Sequence, residues 1–370
     1  MSLFLPGHIG PFRVELQVNP VRTAQALQLS AAQSAVWIAQ TLDRESPAFN
    51  IAEYVDIRGP LNAPFFTAAL RQVVKESDAL RLRIISGNGG PEQYFEDYPS
   101  WEPVVLDFSS RADSFSAAES WMREELLRPV QLEREPVFCY ALLQLAKERF
   151  LWYVRYHHIA MDGFGGALIA RRVAEIYSGL VRQSEITPGK FLPLSELLEQ
   201  ESGYRGKQLH SDRQYWLGTM GNHPEVATLS GHAPARSRSF IRHSSSVPAS
   251  LLELLAGVGH QCGTTLAQVF EAAAAVCVHR LTGADEVVLG AALTTRIGRK
   301  MRSIPAMASN ILPLRVNFSA RMTFDDLLCQ VAKRKAEMLR HQRYRMEELR
   351  ADLAINRAQL FQKSNKSLLM

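Results

Sequence analysis

The stretch VFCYALLQLAKERFLWYVRYHHIAMDGFGGALIARRVAEIYSGLV, residues 137–181, changes its hydrophobic rhythm part-way along. Residues 137–145 and 149–158 are two apolar runs of strand length joined by Ala146-Lys147-Glu148, which predicts a β-hairpin. From 166 to 181 the repeat becomes helical, with Ile169, Val173, Ile176 and Leu180 on one face. A hairpin running into a helix predicts an α+β arrangement, a sheet covered by helices.

The junction between the two rhythms is RYHHIAMDGFGG, residues 155–166. Along a strand, successive side chains leave opposite faces. Trp152, Val154, Tyr156 and His158 therefore point one way, and Tyr153, Arg155 and His157 the other. Two imidazoles on opposite faces do not suit one metal ion, and no cysteine lies close by, so metal binding ranks below the alternatives. Two readings remain open from the residues alone. The pair is either two strand-end histidines, one packed and one solvated, or part of an acid–base site. Asp162 and Gly163 are expected in a short loop joining strand to helix, where scaffolds present reactive groups. Gly163, Gly165 and Gly166 are expected to permit tight turning and close backbone approach by a ligand.

The same mixed pattern continues outward. Helices are expected from Ser30, at 62–78 with Phe66, Leu70, Val73 and Val74 inward, and at 113–130. Strands are expected at 51–59 and 79–86, with a turn at 87–91. Residues 1–29 read as an N-terminal extension, 30–181 as a first lobe and 182–240 as a polar crossing. Residues 241–370 read as a second lobe, with helices at 264–283 and 323–344 and strands at 285–293 and 309–318.

The chain has 370 residues, 46% hydrophobic and 21% charged, enough for one large or two medium domains. A formal net charge of +5 without a long basic block argues only weakly for nucleic acid and fits docking of an acidic partner equally well, so no nucleic-acid partner is expected. Cys139, Cys262, Cys277 and Cys329 are far apart and form no C-x-x-C pair. No secretory signal or apolar run of membrane-spanning length is evident, so a reduced, cytoplasmic protein is expected.

The stretch H-H-x-x-x-D-G, residues 157–163, resembles the signature of the condensation domains of nonribosomal peptide synthetases. Companion strings follow in that family's order. LSAAQSAVWIAQ (29–40) resembles S-x-A-Q-x-x-x-W, and KESDALRLRI (75–84) resembles the second motif through Leu80 and Arg81. SDRQYWLGTM (211–220) is similar to the Tyr-Trp segment between the lobes. AMASNILPLRV (306–316) is similar to V-N-x-x-P-x-R, with Ser309 in place of the usual apolar residue before Asn310. HQRYRMEELRADL (341–353) is similar to H-Q-x-x-x-x-E. Local strings such as RYHH, DGF and RHQRY most resemble the first condensation domain of enterobactin-synthetase-like enzymes.

The resemblance implies two chloramphenicol-acetyltransferase-like lobes in a V, with a tunnel between them. It implies amide formation between a donor acyl group, an aryl one in the enterobactin-like case, and an aminoacyl acceptor. Both would ride on phosphopantetheine arms of carrier proteins, with adenylation domains adjacent, in peptide or siderophore biosynthesis. His158 would take or guide the amine proton. Gly163 would lend its N–H, or space, near the carbonyl, and His157 would support the loop. Asp162 would pair with an arginine of the second lobe, for which Arg296 is the candidate, and Asn310 would lie near the tunnel. No metal or bound cofactor is implied. Heterocyclizing relatives carry Asp at the position of His157. In the family, Leu-Phe after the H-Q motif leads into further elements, whereas here Leu360-Phe361 stands near the end of the chain. The second lobe is therefore expected to be incomplete. Two alternative functions follow: a silent or carrier-binding remnant, and an acyltransferase using free amines or alcohols.

Overall fold

A computed structural model describes residues 26–353, apart from 88, 98–100, 190, 205, 223, 225–227 and 230–242. Expectations for residues 1–25 and for Leu360-Phe361 lie outside these.

The hairpin and the helix after it organise the first lobe. In chain order this lobe contains β1 (Leu27–Gln28), α1 (Ala31–Leu42), β2 (Asn50–Arg58), α2 (Ala63–Glu76), β3 (Leu82–Gly87) and β4 (Gly90–Phe95). There follow β5 (Val104–Asp107), α3 (Ser114–Leu127), β6 (Phe138–Ala146), β7 (Arg149–His157) and α4 (Gly163–Arg182). The central sheet has the order β2-β7-β6-β5, with β5 and β6 parallel and the other pairs antiparallel. Alternation along β7 feeds two cores. Trp152, Val154 and Tyr156 join Phe66 and Leu70 of α2 and Ile169 and Val173 of α4. Leu151 and Tyr153 join Ala118 and Met122 of α3 on the other face. Coverage on both faces explains why β6 and β7 are apolar almost throughout.

The second lobe contains α7 (Ala249–Gln261), α8 (Leu266–Thr282), β8 (Glu286–Thr294), β9 (Ser309–Asn317), α9 (Phe324–Arg340) and α10 (Met346–Asp352). β8 and β9 pair antiparallel, and Val287, Leu312, Leu314 and Val316 pack with Val269 and Ala272 of α8 and Leu327, Leu328 and Val331 of α9. α8 starts on a Thr265–Gln268 capping box and stops at Gly283, whose φ of +71° suits only glycine well. Between the lobes lie α5 (Leu194–Ser202) and α6 (Lys207–Met220). α6 falls within the polar crossing expected at 182–240, yet Trp216 is buried in the second core and donates from Nε1 to the carbonyl of His341 at 2.9 Å.

Several elements depart from the sequence reading. Residues 27–28 are not extension but pair with β4. The expected turn at 87–91 runs into β4, which reads as polar because Glu92 and Gln93 hide its strand pattern. Gln93 is fully buried and exchanges hydrogen bonds with Gln33 and the carbonyl of Gln28. The expected helix 323–344 ends at Arg340. Asn310 takes the carbonyls of Gln342 (3.2 Å) and Tyr344 (2.8 Å) and so competes with helix continuation there. Helix α4 begins three residues earlier than expected, so Gly163, expected in a loop, joins Gly165 and Gly166 in its first turn, and Asp162 is the N-cap.

The 295–308 connection between β8 and β9 reaches back to the first lobe. Met307 enters the first core, while Met301, Ile304, Ala306 and Ala308 pack on Leu194 and Leu197 of α5. The first turn of α4 docks against this segment at Gly165. A Cβ there would lie 2.5 Å from Met161 Sδ and 2.9 Å from the Ala306 nitrogen. Gly165→Ala is therefore expected to destabilise the chain by about 1–3 kcal/mol through overpacking. Chemical denaturation measures this, and an unchanged midpoint would contradict the close approach.

Candidate active site

His157 is the last residue of β7 and is 1% exposed. Its Nδ1 lies 3.2 Å from the Ile159 nitrogen, and a backbone N–H only donates. Its Nε2 lies 3.1 Å from Gln40 Oε1, which only accepts. The proton therefore sits on Nε2. Burial, followed by the charges of Arg155 and His158, pushes its pKa down to about 3. The ring is neutral and structural near neutral pH.

His158 begins the turn after β7, and its N–H donates to the carbonyl of Phe49 at 2.7 Å. Its Nδ1 lies 2.9 Å from the carbonyl oxygen of Met161, an acceptor, which fixes the proton on Nδ1. The free lone pair is then on Nε2. The ring is half-buried, so one histidine is locked inside and the other keeps an acceptor nitrogen and access.

Asp162 is the N-cap of α4 and joins the two lobes. Its Oδ1 accepts from the Gly165 N–H at 2.8 Å, which satisfies one orphan donor of the helix. Its Oδ2 accepts from Arg296 Nη1 at 2.7 Å and from the Ala308 N–H at 3.0 Å. Arg296 follows β8 and is itself 3% exposed. It donates further to the carbonyls of Ile304 (3.1 Å) and Ala306 (2.8 Å) and to Thr294 Oγ1 (2.9 Å). Its guanidinium carbon lies 4.9 Å from the centre of the Phe164 ring. The family resemblance implied the pairing, but the carbonyls and the Phe164 contact come from segments whose proximity only the fold supplies.

The cap leaves the N–H groups of Gly163 and Phe164 unpartnered among the described residues, at the positive end of a helix of 20 residues. A Cβ on Gly163 would meet nothing within 4 Å. Gly163 thus faces open space, while Gly165 is packed. Asn310 stands apart from this cluster. It is 2% exposed, and besides the two carbonyls above its Oδ1 accepts from the Met346 N–H at 3.3 Å. Its amide holds the segment after α9. The H-Q motif is tied down in the same way: His341 Nδ1 meets Asp212 Oδ1 at 2.8 Å, and its ring stacks on Tyr215 at 4.0 Å. Among the described residues no group of three or more His, Cys, Asp or Glu could hold a metal ion.

The family model for the condensation domain matches residues 23–366. This chain belongs to the condensation-domain family. The domain is 40% identical over 328 residues to a dimodular nonribosomal peptide synthase of Bacillus subtilis (strain 168), covering 88% of this chain and 14% of that protein. It is 30% identical over 337 residues to enterobactin synthase component F of Escherichia coli O157:H7, covering 89% of this chain and 26% of that one. Among solved structures, a variant of the starter condensation domain of rhizomide synthetase, in complex with C8-CoA and Leu-SNAC, superposes with a TM-score of 0.84 at 38% identity. That match covers 91% of this chain and 76% of the other. The first condensation domain of the calcium-dependent antibiotic synthetase gives a TM-score of 0.84 at 30% identity, covering 89% and 79%. The fold is thus that of condensation domains, with chloramphenicol-acetyltransferase-like lobes. The chain spans well under a third of the curated synthases it matches. No helix among the described residues is long and apolar enough to cross a membrane.

Two outcomes follow for this condensation domain. Asp162→Ala leaves Arg296 charged and buried without its partner, and is expected to cost about 3–5 kcal/mol; wild-type denaturation would contradict the bridge. His157 gives a pH signature. Unfolded, its ring takes up a proton below about pH 6.5, while folded it stays neutral down to about 3. Its contribution to stability is therefore complete above pH 6.5 and falls as the pH drops, by at most ~1.4 kcal/mol per pH unit. Denaturation between pH 7 and 5 is expected to show a shallower slope in His157→Asn than in wild type, and equal slopes would overturn this.

Proposed function

We propose that this domain joins an acyl thioester to the amine of an aminoacyl thioester, each presented on the phosphopantetheine arm of a carrier protein. The amine nitrogen attacks the thioester carbonyl, the C–N bond forms, the C–S bond breaks, and the products are an amide and a free thiol. His158 acts at the amine. The observation that carries this reading is the Nδ1–H bond to Met161, which leaves Nε2 as an acceptor on an accessible ring. The proton taken there returns to the departing thiolate. The Gly163 and Phe164 N–H groups, at the start of α4, suit the negative charge that develops on the carbonyl oxygen. The open space at Gly163 suits the thioester. Carrier proteins and a neighbouring adenylation domain are the partners this chemistry needs.

For the donor, the reading is a group without an amino-acid backbone, supported by the rhizomide starter domain, whose solved structure contains C8-CoA. An aryl donor in a siderophore setting is the alternative that the resemblance to enterobactin-synthetase-like enzymes implies.

Carrier proteins loaded with octanoyl, aryl or aminoacyl donors and an aminoacyl acceptor provide the assay, with the amide followed by mass spectrometry. His158→Ala is expected to lower the rate by roughly 10²–10⁴-fold with an unchanged melting temperature. Gly163→Ala is expected to fold normally and lose most of its rate. Full activity of His158→Ala would sink the assignment. Equal turnover of soluble and tethered amines would favour a free-acceptor acyltransferase.

A further inference from the structure

The motif LSAAQSAVWIAQ ends on Gln40, in the last turn of α1, and Gln40 is 5% exposed. Its Nε2 faces three backbone carbonyls, those of Asp43 (3.1 Å), Arg44 (3.1 Å) and Ser46 (3.2 Å). Carbonyl oxygens only accept, so the amide has one orientation, with NH2 toward the carbonyls and Oε1 toward His157. That oxygen demands a proton on His157 Nε2. The other ring nitrogen is then bare and takes the Ile159 N–H. The rest of the turn is closed by Ala160 N–H to the His157 carbonyl at 2.9 Å, His158 N–H to Phe49, His158 Nδ1–H to Met161, and Asp162 N–H to the Ala306 carbonyl at 3.1 Å.

We infer that Gln40 is a positioning residue: through one fixed amide it sets the tautomer of His157, and that tautomer holds the 157–161 turn in the shape that aims His158 at the reacting amine. The last step rests on the proposed amide-forming role of His158; the tautomer step does not. If His157 carried its proton on Nδ1, two donors would oppose each other at Ile159, and the turn would have to open. His157 is thus a relay between α1 and the reacting histidine, which explains a buried imidazole where an apolar residue would pack with less loss of solvation.

Selective 15N labelling of histidine, read by long-range proton–nitrogen correlation, distinguishes the two tautomers without any substrate. Wild-type protein is expected to show His157 protonated on Nε2 only. Gln40→Leu removes the acceptor and is expected to give a mixture of tautomers, with amide formation slower by on the order of 10- to 100-fold and the KM for the acceptor little changed. His157→Asn keeps a side-chain acceptor two residues before Ile159, as in an Asx turn, and is expected to retain more activity than His157→Leu. In a His157→Leu background, Gln40→Leu is expected to add little further loss, since the two act in series. A wild-type tautomer pattern in Gln40→Leu overturns the inference, as does a full additional loss in the double variant. Should Gln40→Leu fail to fold, Gln40→Glu serves in its place; it keeps the acceptor but not the NH2, and an Nε2-protonated His157 with its shift and titration unchanged from wild type would overturn the role of the oriented amide. Absence of amide formation in wild type with an intact tautomer shift would count against the proposed function and leave the tautomer control standing.

Discussion

The bond between Asp162 and Arg296 organises the molecule. Two opposite charges sit 2.7 Å apart and out of water, one from each lobe. Removing both from solvent is costly, and their attraction alone does not guarantee compensation. The remaining lone pairs and N–H groups therefore matter. Asp162 accepts from Gly165 and Ala308, and Arg296 donates to Ile304, Ala306 and Thr294. These partners are the first turn of α4, the end of β8 and the segment between β8 and β9. The ion pair thus fixes where the helix starts, how the second lobe docks, and hence where the turn bearing His158 is held.

From that anchor the two adjacent histidines acquire different chemistry. Both begin as identical side chains with two ring nitrogens. His157 is enclosed and both of its nitrogens are engaged, so it is neutral and rigid. His158 gives one nitrogen to the backbone and keeps the other. The glycines divide in the same way. Gly165 lets α4 touch the second lobe, and Gly163 has open space where a Cβ would stand. One short motif therefore supplies a brace between the lobes, a half-buried imidazole with an acceptor nitrogen, and a glycine with open space around it, each through a different physical demand on its residue.

Much of this was legible in the sequence where local rules suffice. The β6–β7 hairpin, the inward face of α4 and the capping of α8 follow from alternation, helical spacing and end residues. Legibility failed where a distant group overrode the local pattern. β4 is a strand in which Gln93 is satisfied by Gln33 and Gln28, although Gly90 and Pro91 at its start read as a turn. The helix after Thr323 stops at Arg340 where Asn310 claims the next carbonyls. Gly163 reads as loop because glycine disfavours helices, yet the Asp162 side-chain cap brings it into the first turn of α4.

By itself, the sequence determined the α+β class, the family, and the fact that the two histidines leave a strand on opposite faces, because strand geometry has a period of two whatever surrounds it. Only the tertiary structure decided which nitrogen of each ring carries the proton. Those protons are set by Gln40, Ile159 and Met161, and the first of these is 117 positions from His157. Hydrogen-bond direction depends on the partner that arrives in space, and neither composition nor spacing along the chain encodes that partner on its own.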